Sequence, residues 1–282
     1  MQEGRFSRTA HRVAIRRAAH QLFDQPRVLE DPLALAIVGT EAAEKLRSSQ
    51  KEAESSIARA FRAFMAARSR YAEDQLAKAV AQGARQYVVL GAGLDTFAYR
   101  SPYPGLRVFE VDHPATQTWK RERLQNAGIE VPQSLVFVPV DFERQQLHAE
   151  LERSGFETRL PAFFSWLGVV PYLTRESCLA TLGFIAKMPS GSGVAFDFAV
   201  DPKLLSWPER LALRALSRRV EAAGEPFQLF FRPPELTEEL KNLGFQRTEI
   251  LGAEEINARY FTGRADGLRI RGGAGRFMGA WI

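Results

Sequence analysis

Residues 86–112 have the sequence QYVVLGAGLDTFAYRSPYPGLRVFEVD. The run Gln86–Leu90 is apolar and β-branched and stops at the glycines of Gly91–Gly93, a pattern typical of a buried parallel strand that enters a tight turn. About 20 residues after the first glycine, a second apolar run ends in Glu110–Asp112, where an acidic side chain can bind the hydroxyls of a ribose. Strand, glycine turn, helix, strand and acid together predict a nucleoside pocket.

The third position of the glycine motif separates two classes of cofactor. A dinucleotide-binding turn has the pattern G-x-G-x-x-G, in which the third glycine lets a helix pack over a pyrophosphate, but this chain has Thr96 there. S-adenosylmethionine (SAM) has no pyrophosphate and needs only the open turn and the ribose-binding acid. The sequence therefore favours SAM, and the alternative is a glycine turn that merely closes a strand–helix unit.

Length and composition are those of an ordinary globular protein. The 282 residues are 45% hydrophobic and 25% charged, which suits one large α/β domain over residues 1–282. We expect a helical cover (1–85), a SAM-binding half (86–200) and a substrate-side part with the closing strands (201–282). No apolar run approaches the ~18 residues that a membrane span requires, and the arginine-rich N-terminus lacks the apolar region of a secretory signal. We therefore expect a cytoplasmic protein with no membrane partner.

Residue types that bind metals are scarce. Cys178 is the single cysteine, and the four histidines form no HxH or HxxxH pair, so no metal site is expected. The net charge of +5 permits anionic partners without identifying one. Arginines at helical spacing, Arg210, Arg214, Arg218 and Arg219, are expected to form a solvated helix face.

The first 85 residues have helical patterns, and the third helix is the informative one. Between Lys51 and Ala81 the predicted apolar stripe places Arg68 where a core residue belongs. A guanidinium on a buried stripe needs a carboxylate, which could belong to a ligand or to an internal acid. The stripe consists of Ile57, Phe61, Phe64, Arg68 and Tyr71.

The rest of the chain alternates strands and helices, apart from a helix predicted over 202–223. This pattern predicts an α/β, Rossmann-like, seven-stranded sheet with an antiparallel last strand, an N-terminal helical extension and a helical insert, which is the class I methyltransferase arrangement. Ligands lie at the carboxyl ends of such strands, where Asp141 and Phe142 follow the third strand; Asp141 could also cap the next helix. The strands after the first are expected at 106–109, 135–138, 162–167, 194–198, 245–251 and 276–282.

The chain resembles the leucine carboxyl methyltransferase family, and more closely its bacterial branch of SAM-dependent methyltransferases, over nearly its whole length. The resemblance implies that Arg68 binds the methionine carboxylate of SAM, that Gly91 lies under the cofactor, that Asp112 binds the ribose, and that Asp141 and Phe142 frame the adenine. Gly93, Asp95 and Glu110 lie in the same segments and complete the predicted cofactor site. The segments that carry the resemblance are 67–68, 91–96 (GAGLDT), 109–114 (FEVDHP), 140–142 (VDF), 168–174 (GVVPYLT) and 264–269 (RADGLR).

One position departs from the family pattern and affects the substrate class. Many members carry a glutamate immediately before the glycine of the 168–174 segment, whereas this chain has Leu167. The acceptor therefore need not be a protein C-terminus, and a small acid or phenol from secondary metabolism is an equal expectation. Three residues could orient it, Arg17, Tyr172 and Arg264; a surface location for the arginines and a packed core tyrosine are the alternatives.

Methyl transfer from a sulfonium neutralises charge, so the protein mainly has to desolvate and align the two reactants. A carboxylate acceptor is already ionised, whereas a phenol would profit from a base. The prediction is a SAM-dependent O-methyltransferase for a carboxylate or hydroxyl of a small-molecule or peptide substrate. A nucleic-acid methyltransferase is less expected because Leu167–Tyr172, LGVVPY, lacks the N/D-P-P-Y turn of amino-methylating enzymes. A nicotinamide-dependent oxidoreductase is disfavoured by Thr96.

Overall fold

The fold is described by a computed structural model that covers residues 7–49, 55–141, 145–222 and 224–282. The described helices are α1 (Arg8–Phe23), α2 (Ala34–Val38), α3 (Thr40–Ser48), α4 (Ser56–Ala81), α5 (Pro114–Asn126), α6 (Leu147–Arg153), α7 (Arg175–Ile185), α8 (Trp207–Glu221), α9 (Pro233–Leu243) and α10 (Ala253–Tyr260). The strands are β1 (Gln86–Leu90), β2 (Arg107–Asp112), β3 (Leu135–Pro139), β4 (Ala162–Trp166), β5 (Gly193–Ala199), β6 (Arg247–Leu251) and β7 (Gly275–Trp281).

The seven strands form one sheet in the order β3-β2-β1-β4-β5-β7-β6. The strands β1 to β5 pair in parallel, and β7 runs antiparallel between β5 and β6. The predicted sheet with its antiparallel last strand is therefore confirmed. Because β1 and β4 are adjacent although β2 and β3 intervene in sequence, the strand order reverses beside β1, and a ligand crevice forms at such a reversal.

Successive side chains of the central strands point to opposite faces of the sheet, so hydrophobic core lies on both faces. Val88 and Leu90 face one cluster with α7 and α9, whereas Tyr87 and Val89 face the other, which contains the small residues of α4. The side chains of Ala63 and Ala67 are fully buried, so α4 lies close against the sheet. Helix α4 therefore forms part of the core of this face, whereas α1 and α2 pack in a third cluster with Leu94, Trp119 and Leu124.

Several local expectations were wrong. No α-helix joins β1 to β2; the segment contains only a 3-10 turn, Phe97–Tyr99, because Pro102 and Pro104 cannot continue a helix. In the predicted stripe on α4, Ile57 is 67% exposed, since the helix begins at Ser56 and its first turn extends beyond the core. The insert predicted as one helix from Pro202 is a 3-10 turn followed by α8, which Ser206 caps.

Cys178 is buried in α7. The expected solvated arginine face was confirmed on α8 for three of its four arginines. On α8, Arg214, Arg218 and Arg219 are exposed, as predicted for a solvated face, and Arg210 is partly buried. No helix among the described residues is long and apolar enough to cross a membrane.

Candidate active site

The glycine turn follows β1 and is enclosed by protein on two sides. Gly91 and Gly93 have φ values of +68° and +49°, which disfavour any residue with a Cβ atom. A Cβ at Gly91 would lie 2.3 Å from Cγ2 of Val169, and one at Gly93 would lie 3.0 Å from Cβ of Ala10. The glycines thus allow the loop after β4 and the first turn of α1 to approach the bare backbone.

Asp112 ties the carboxyl end of β2 to this turn. Its Oδ2 accepts a hydrogen bond from the backbone N–H of Gly93 at 2.6 Å, and its Oδ1 accepts one from His113 at 2.7 Å. Burial raises the pKa of this carboxyl, and the two backbone donors oppose that shift. Each oxygen accepts only one of these bonds, so lone pairs remain that could accept hydroxyl donors.

Glu110 and Asp95, two other predicted cofactor residues, already have partners inside the protein. Glu110 is 1% exposed and its Oε2 lies 2.6 Å from Nζ of Lys120. Asp95 accepts a hydrogen bond from the backbone N–H of Phe97 at 2.7 Å and lies 3.7 Å from Arg17. The structure therefore places Glu110 in the interior beneath the strand end, and Asp95 at the partly exposed edge of the turn.

Arg17 is buried, so the surface location that was the alternative to a substrate-orienting role was wrong. Its Nη2 lies 2.8 Å from Oδ2 of Asp31 and donates to the carbonyl of Leu94 and the hydroxyl of Thr96, both at 3.2 Å. Thr96 in turn donates to Asp31 at 2.8 Å. Burial alone would raise the pKa of Asp31, but Arg17 and Arg100 outweigh it and hold the pKa below its ordinary value. Arg17 thus fastens α1 to the glycine turn.

Arg264 is also not a surface arginine. Its side chain is 4% exposed, and its Nε and Nη2 bind the two carboxylate oxygens of Asp266 at 2.9 Å and 2.5 Å. It also donates to the carbonyl of Pro26. These contacts hold the 264–269 segment against the loop after α1. Arg264 therefore has a structural role in connecting these two segments.

Arg68 crosses from α4 to the carboxyl ends of β4 and β5. It is 5% exposed, and its Nη1 lies 3.1 Å from Oδ2 of Asp197, whose Oδ1 accepts from the backbone N–H of Gly168 at 2.6 Å. The guanidinium lies against Gly168, where a Cβ would come within 2.7 Å of Nη1. An internal carboxylate therefore exists, which is the alternative to a ligand that the sequence left open. The buried Nε of Arg68 has no hydrogen-bond partner among the described residues, so the guanidinium retains a free donor.

Sequence reasoning missed Asp197 as part of this site. The signal was present, because Asp197 is an acid within the buried run 193–199 of β5. A buried acid near the carboxyl end of a parallel strand requires either a partner or a ligand.

Tyr172 borders the Arg68–Asp197 pair. Its ring packs at 5.2 Å from that of Phe227, and its hydroxyl is electrostatically coupled to Arg68 and Asp197. Burial, with a further contribution from Glu225, raises the pKa of Tyr172 to about 12. The phenol is therefore protonated at neutral pH.

Asp141 follows the end of β3, as predicted, and is partly buried. Its backbone N–H donates to Oε1 of Gln145 at 2.9 Å, and its carbonyl accepts from the N–H of Gln145 at 2.8 Å. The N-cap of α6 is Gln146. Residues 142–144, which directly follow Asp141, lie outside the described part of the chain, so the alternative role of Asp141 as a helix cap stays a prediction. Phe142 lies outside the described residues. Leu167, at the position where the resemblance leads us to expect a glutamate, packs on the α4 side of the sheet.

Comparison with known proteins decides the family. The family model for leucine carboxyl methyltransferase matches residues 10–186, more than half of the chain. The chain belongs to the leucine carboxyl methyltransferase family. Its expected classification as a SAM-dependent methyltransferase, with SAM as cofactor, is confirmed by this match together with the relatives.

Two relatives illustrate the similarity. "Putative S-adenosyl-L-methionine-dependent methyltransferase YktD" of Bacillus subtilis is 37% identical over 205 residues, 72% of this chain and 67% of that protein. A "Putative S-adenosyl-L-methionine-dependent methyltransferase" of Mycobacteroides abscessus is 34% identical over 207 residues, 72% of this chain and 67% of that protein.

Solved structures confirm the fold. A crystal structure described as a putative methyltransferase from Thermobifida fusca has a TM-score of 0.58 at 16% identity and covers 99% of this chain and 96% of its own. A DUF574 family protein from Streptomyces avermitilis has a TM-score of 0.53 at 18% identity and covers 94% of this chain and 96% of its own.

Proposed function

We propose that this enzyme transfers the methyl group of SAM to a carboxylate oxygen of a small-molecule or peptide acceptor. The observation that carries this proposal is how Asp197, Asp112 and Tyr172 are engaged within the protein. Asp197 is bound to Arg68 and Gly168, Asp112 accepts two backbone hydrogen bonds, and burial raises the pKa of Tyr172 to about 12, so the phenol keeps its proton at neutral pH. An acceptor that is already ionised needs no base, whereas a hydroxyl acceptor would have to lose a proton.

Arg68 and Asp112 each keep a hydrogen-bonding group that suits a part of SAM. The unpartnered Nε of Arg68 suits the methionine carboxylate, with Asp197 holding the guanidinium in place. The remaining lone pairs of Asp112 suit the ribose hydroxyls, and we assign Asp141, which follows the end of β3, to the adenine. In this proposal the absence of a Cβ atom at Gly91 and Gly93 leaves room for Val169 and Ala10, which enclose the turn and the bound cofactor.

SAM supplies an electrophilic methyl group on a positively charged sulfur. In this proposal the chain's own residues exclude water and align the acceptor: Tyr172, whose ring packs at 5.2 Å from that of Phe227, supplies apolar surface beside the Arg68–Asp197 pair. The phenolic O–H of Tyr172 can donate a hydrogen bond to an anionic acceptor but cannot take up a proton.

The test is the nature of the methylated product. The purified chain is incubated with SAM labelled on the methyl group and with a panel of carboxylic acids, phenols and peptides, and the products are treated with alkali. A methyl ester releases its label as methanol, whereas a methyl ether keeps it. Transfer that yields only alkali-stable products would contradict a carboxylate acceptor without contradicting the use of SAM.

A further inference from the structure

A large open groove lies away from the glycine turn, between α1, α3 and α4. Its volume is about 670 Å³, within the range of roughly 300 to 1,000 Å³ usual for small-ligand pockets. Helix α1 separates this groove from the turn. At 100° per residue, Ala10 and Arg17, which contact the turn, lie on one face of α1, and Ile15, Arg16 and Ala19, which line the groove, lie towards the other.

The groove combines apolar walls with an excess of positive charge. Ile15, Ala19, Val38 and Leu46 supply apolar surface. The described lining residues also include cations, namely Arg12, Arg16, Lys45, Arg62 and Arg123, against one carboxylate, Glu41.

Two of these cations are accounted for inside the protein. Arg62 is paired with Asp24, its Nε lying 2.7 Å from Oδ2. Arg123 donates to the carbonyl of Val38 at 3.0 Å. Neither side chain is therefore needed to bind a ligand in this groove.

The other three cations have no carboxylate partner among the described residues. Arg16 is the most constrained of them: within the described part of the chain, its Nη1 donates to the carbonyl of Arg12, at 3.3 Å, and the guanidinium lies 5.3 Å above the ring of Phe61. Burial, followed by the neighbouring guanidiniums of Arg12 and Arg219, lowers the pKa of Arg16. A partly desolvated cation among like charges is stabilised by an anion, and Arg12 and Lys45 line the same groove.

His11 adds a polar side chain to the lining of the groove. Its ring lines the groove with its plane nearly perpendicular to that of Trp119, at 5.8 Å. The Nε2 atom is buried and has no hydrogen-bond partner among the described residues. Burial and Arg123 lower the pKa of this imidazole, so it is neutral at neutral pH and has a hydrogen-bonding atom without a protein partner.

We propose that this groove is a second binding site, which takes a small amphiphilic anion. The acidic head of the ligand contacts Arg12, Arg16 and Lys45, and its apolar body lies against Ile15 and Leu46. The groove lies on the far side of α1 from the glycine turn, so this site is separate from the proposed cofactor site and does not depend on the proposed reaction.

The test measures binding of four probes to the full chain by calorimetry: decanoate, decyl phosphate, inorganic phosphate and 1-decanol. We expect decanoate and decyl phosphate to bind, and the tighter of the two identifies the preferred head group. Inorganic phosphate, which has only the charge, and 1-decanol, which has only the apolar chain, should bind much more weakly. No binding of either anion, or equal binding of 1-decanol, would overturn the proposal.

Variants locate the site. Arg12→Gln combined with Arg16→Gln should weaken anion binding about 10-fold or more, since charge-assisted hydrogen bonds are lost. Lys45→Glu, at an exposed helix position where folding is not at risk, should also weaken it. Arg159→Gln, an exposed arginine outside the groove, is the matched control. S-adenosylhomocysteine binding should persist in every variant, which separates failure of this site from failure of the cofactor site. Unchanged anion binding in Lys45→Glu and in the double variant would contradict the assignment.

Discussion

Asp197 on β5 holds Arg68 of α4 through Oδ2, at 3.1 Å, and the backbone of Gly168 through Oδ1, at 2.6 Å. One carboxylate thus joins the N-terminal helical cover, the loop after β4 and the end of β5. Because both side chains are at least nine-tenths buried, neither charge can be satisfied by water when the other is removed.

Single substitutions in this pair should therefore destabilise the protein more than the double substitution does. Asp197→Asn and Arg68→Met should each lower the free energy of unfolding by about 3–5 kcal/mol, because each leaves a buried charge uncompensated. In the double variant both charges are gone, so part of that loss should be recovered. Urea denaturation measures all three. A double variant as unstable as the sum of the singles would show that the pair is not coupled.

The same pair should link cofactor binding to α4. If the free Nε of Arg68 contacts the methionine carboxylate, S-adenosylhomocysteine should slow hydrogen exchange over residues 63–71 as well as over residues 91–95. The Arg68→Met variant should keep the effect at 91–95 at high ligand concentration and lose it over 63–71. Protection of α4 that is unchanged in the variant would mean that Arg68 is purely an internal ion-pair residue.

Asp112→Ala should weaken S-adenosylhomocysteine binding by about 10- to 150-fold, because hydrogen bonds to a charged group are worth roughly 1.5–3 kcal/mol. The variant should remain folded but lose some stability, since the N–H groups of Gly93 and His113 lose their acceptor. Asp112→Asn keeps one acceptor oxygen, so its affinity for S-adenosylhomocysteine should lie between those of the wild type and Asp112→Ala. A dissociation constant unchanged in the folded alanine variant would remove Asp112 from the ribose site.

Asp31 should contribute to the loss of stability in acid. Its pKa in the folded state is held below the ordinary value of about 3.9 by Arg17 and Arg100, which outweigh burial. The stabilisation is then fully present above the unfolded pKa and is lost as the pH falls through the folded one. The stability difference between wild type and Asp31→Asn should therefore be constant from pH 7 to about pH 5 and shrink below about pH 4. A difference that is independent of pH down to about pH 3 would contradict this role of Asp31.

The strands were predictable because their signal is local. Gln86–Leu90 was predicted to the residue, because buried parallel strands are short apolar runs between turn residues. The bounds of the other strands differ from the expected ones by at most two residues, except that β2 extends three residues beyond its expected end at Phe109. The position of Asp112 beside the glycine turn followed from the parallel pairing of β1 and β2.

The side-chain partners were not predictable, because they depend on tertiary packing. Arginine usually lies at the surface, yet the side chains of Arg17 and Arg264 are buried, because each pairs with an acid, Asp31 and Asp266 respectively. Arg68 was correctly placed in the interior, but its partner on β5 lies far away in sequence. The missing helix between β1 and β2 was a local error, since Pro102 and Pro104 were visible.

The most direct test of the central claim is a calorimetric titration of the wild-type chain with S-adenosylhomocysteine in the presence of EDTA. We expect binding of one ligand per chain that EDTA leaves unchanged, with no comparable heat from NAD. Absence of heat with both S-adenosylhomocysteine and SAM, or binding that EDTA abolishes, would contradict it.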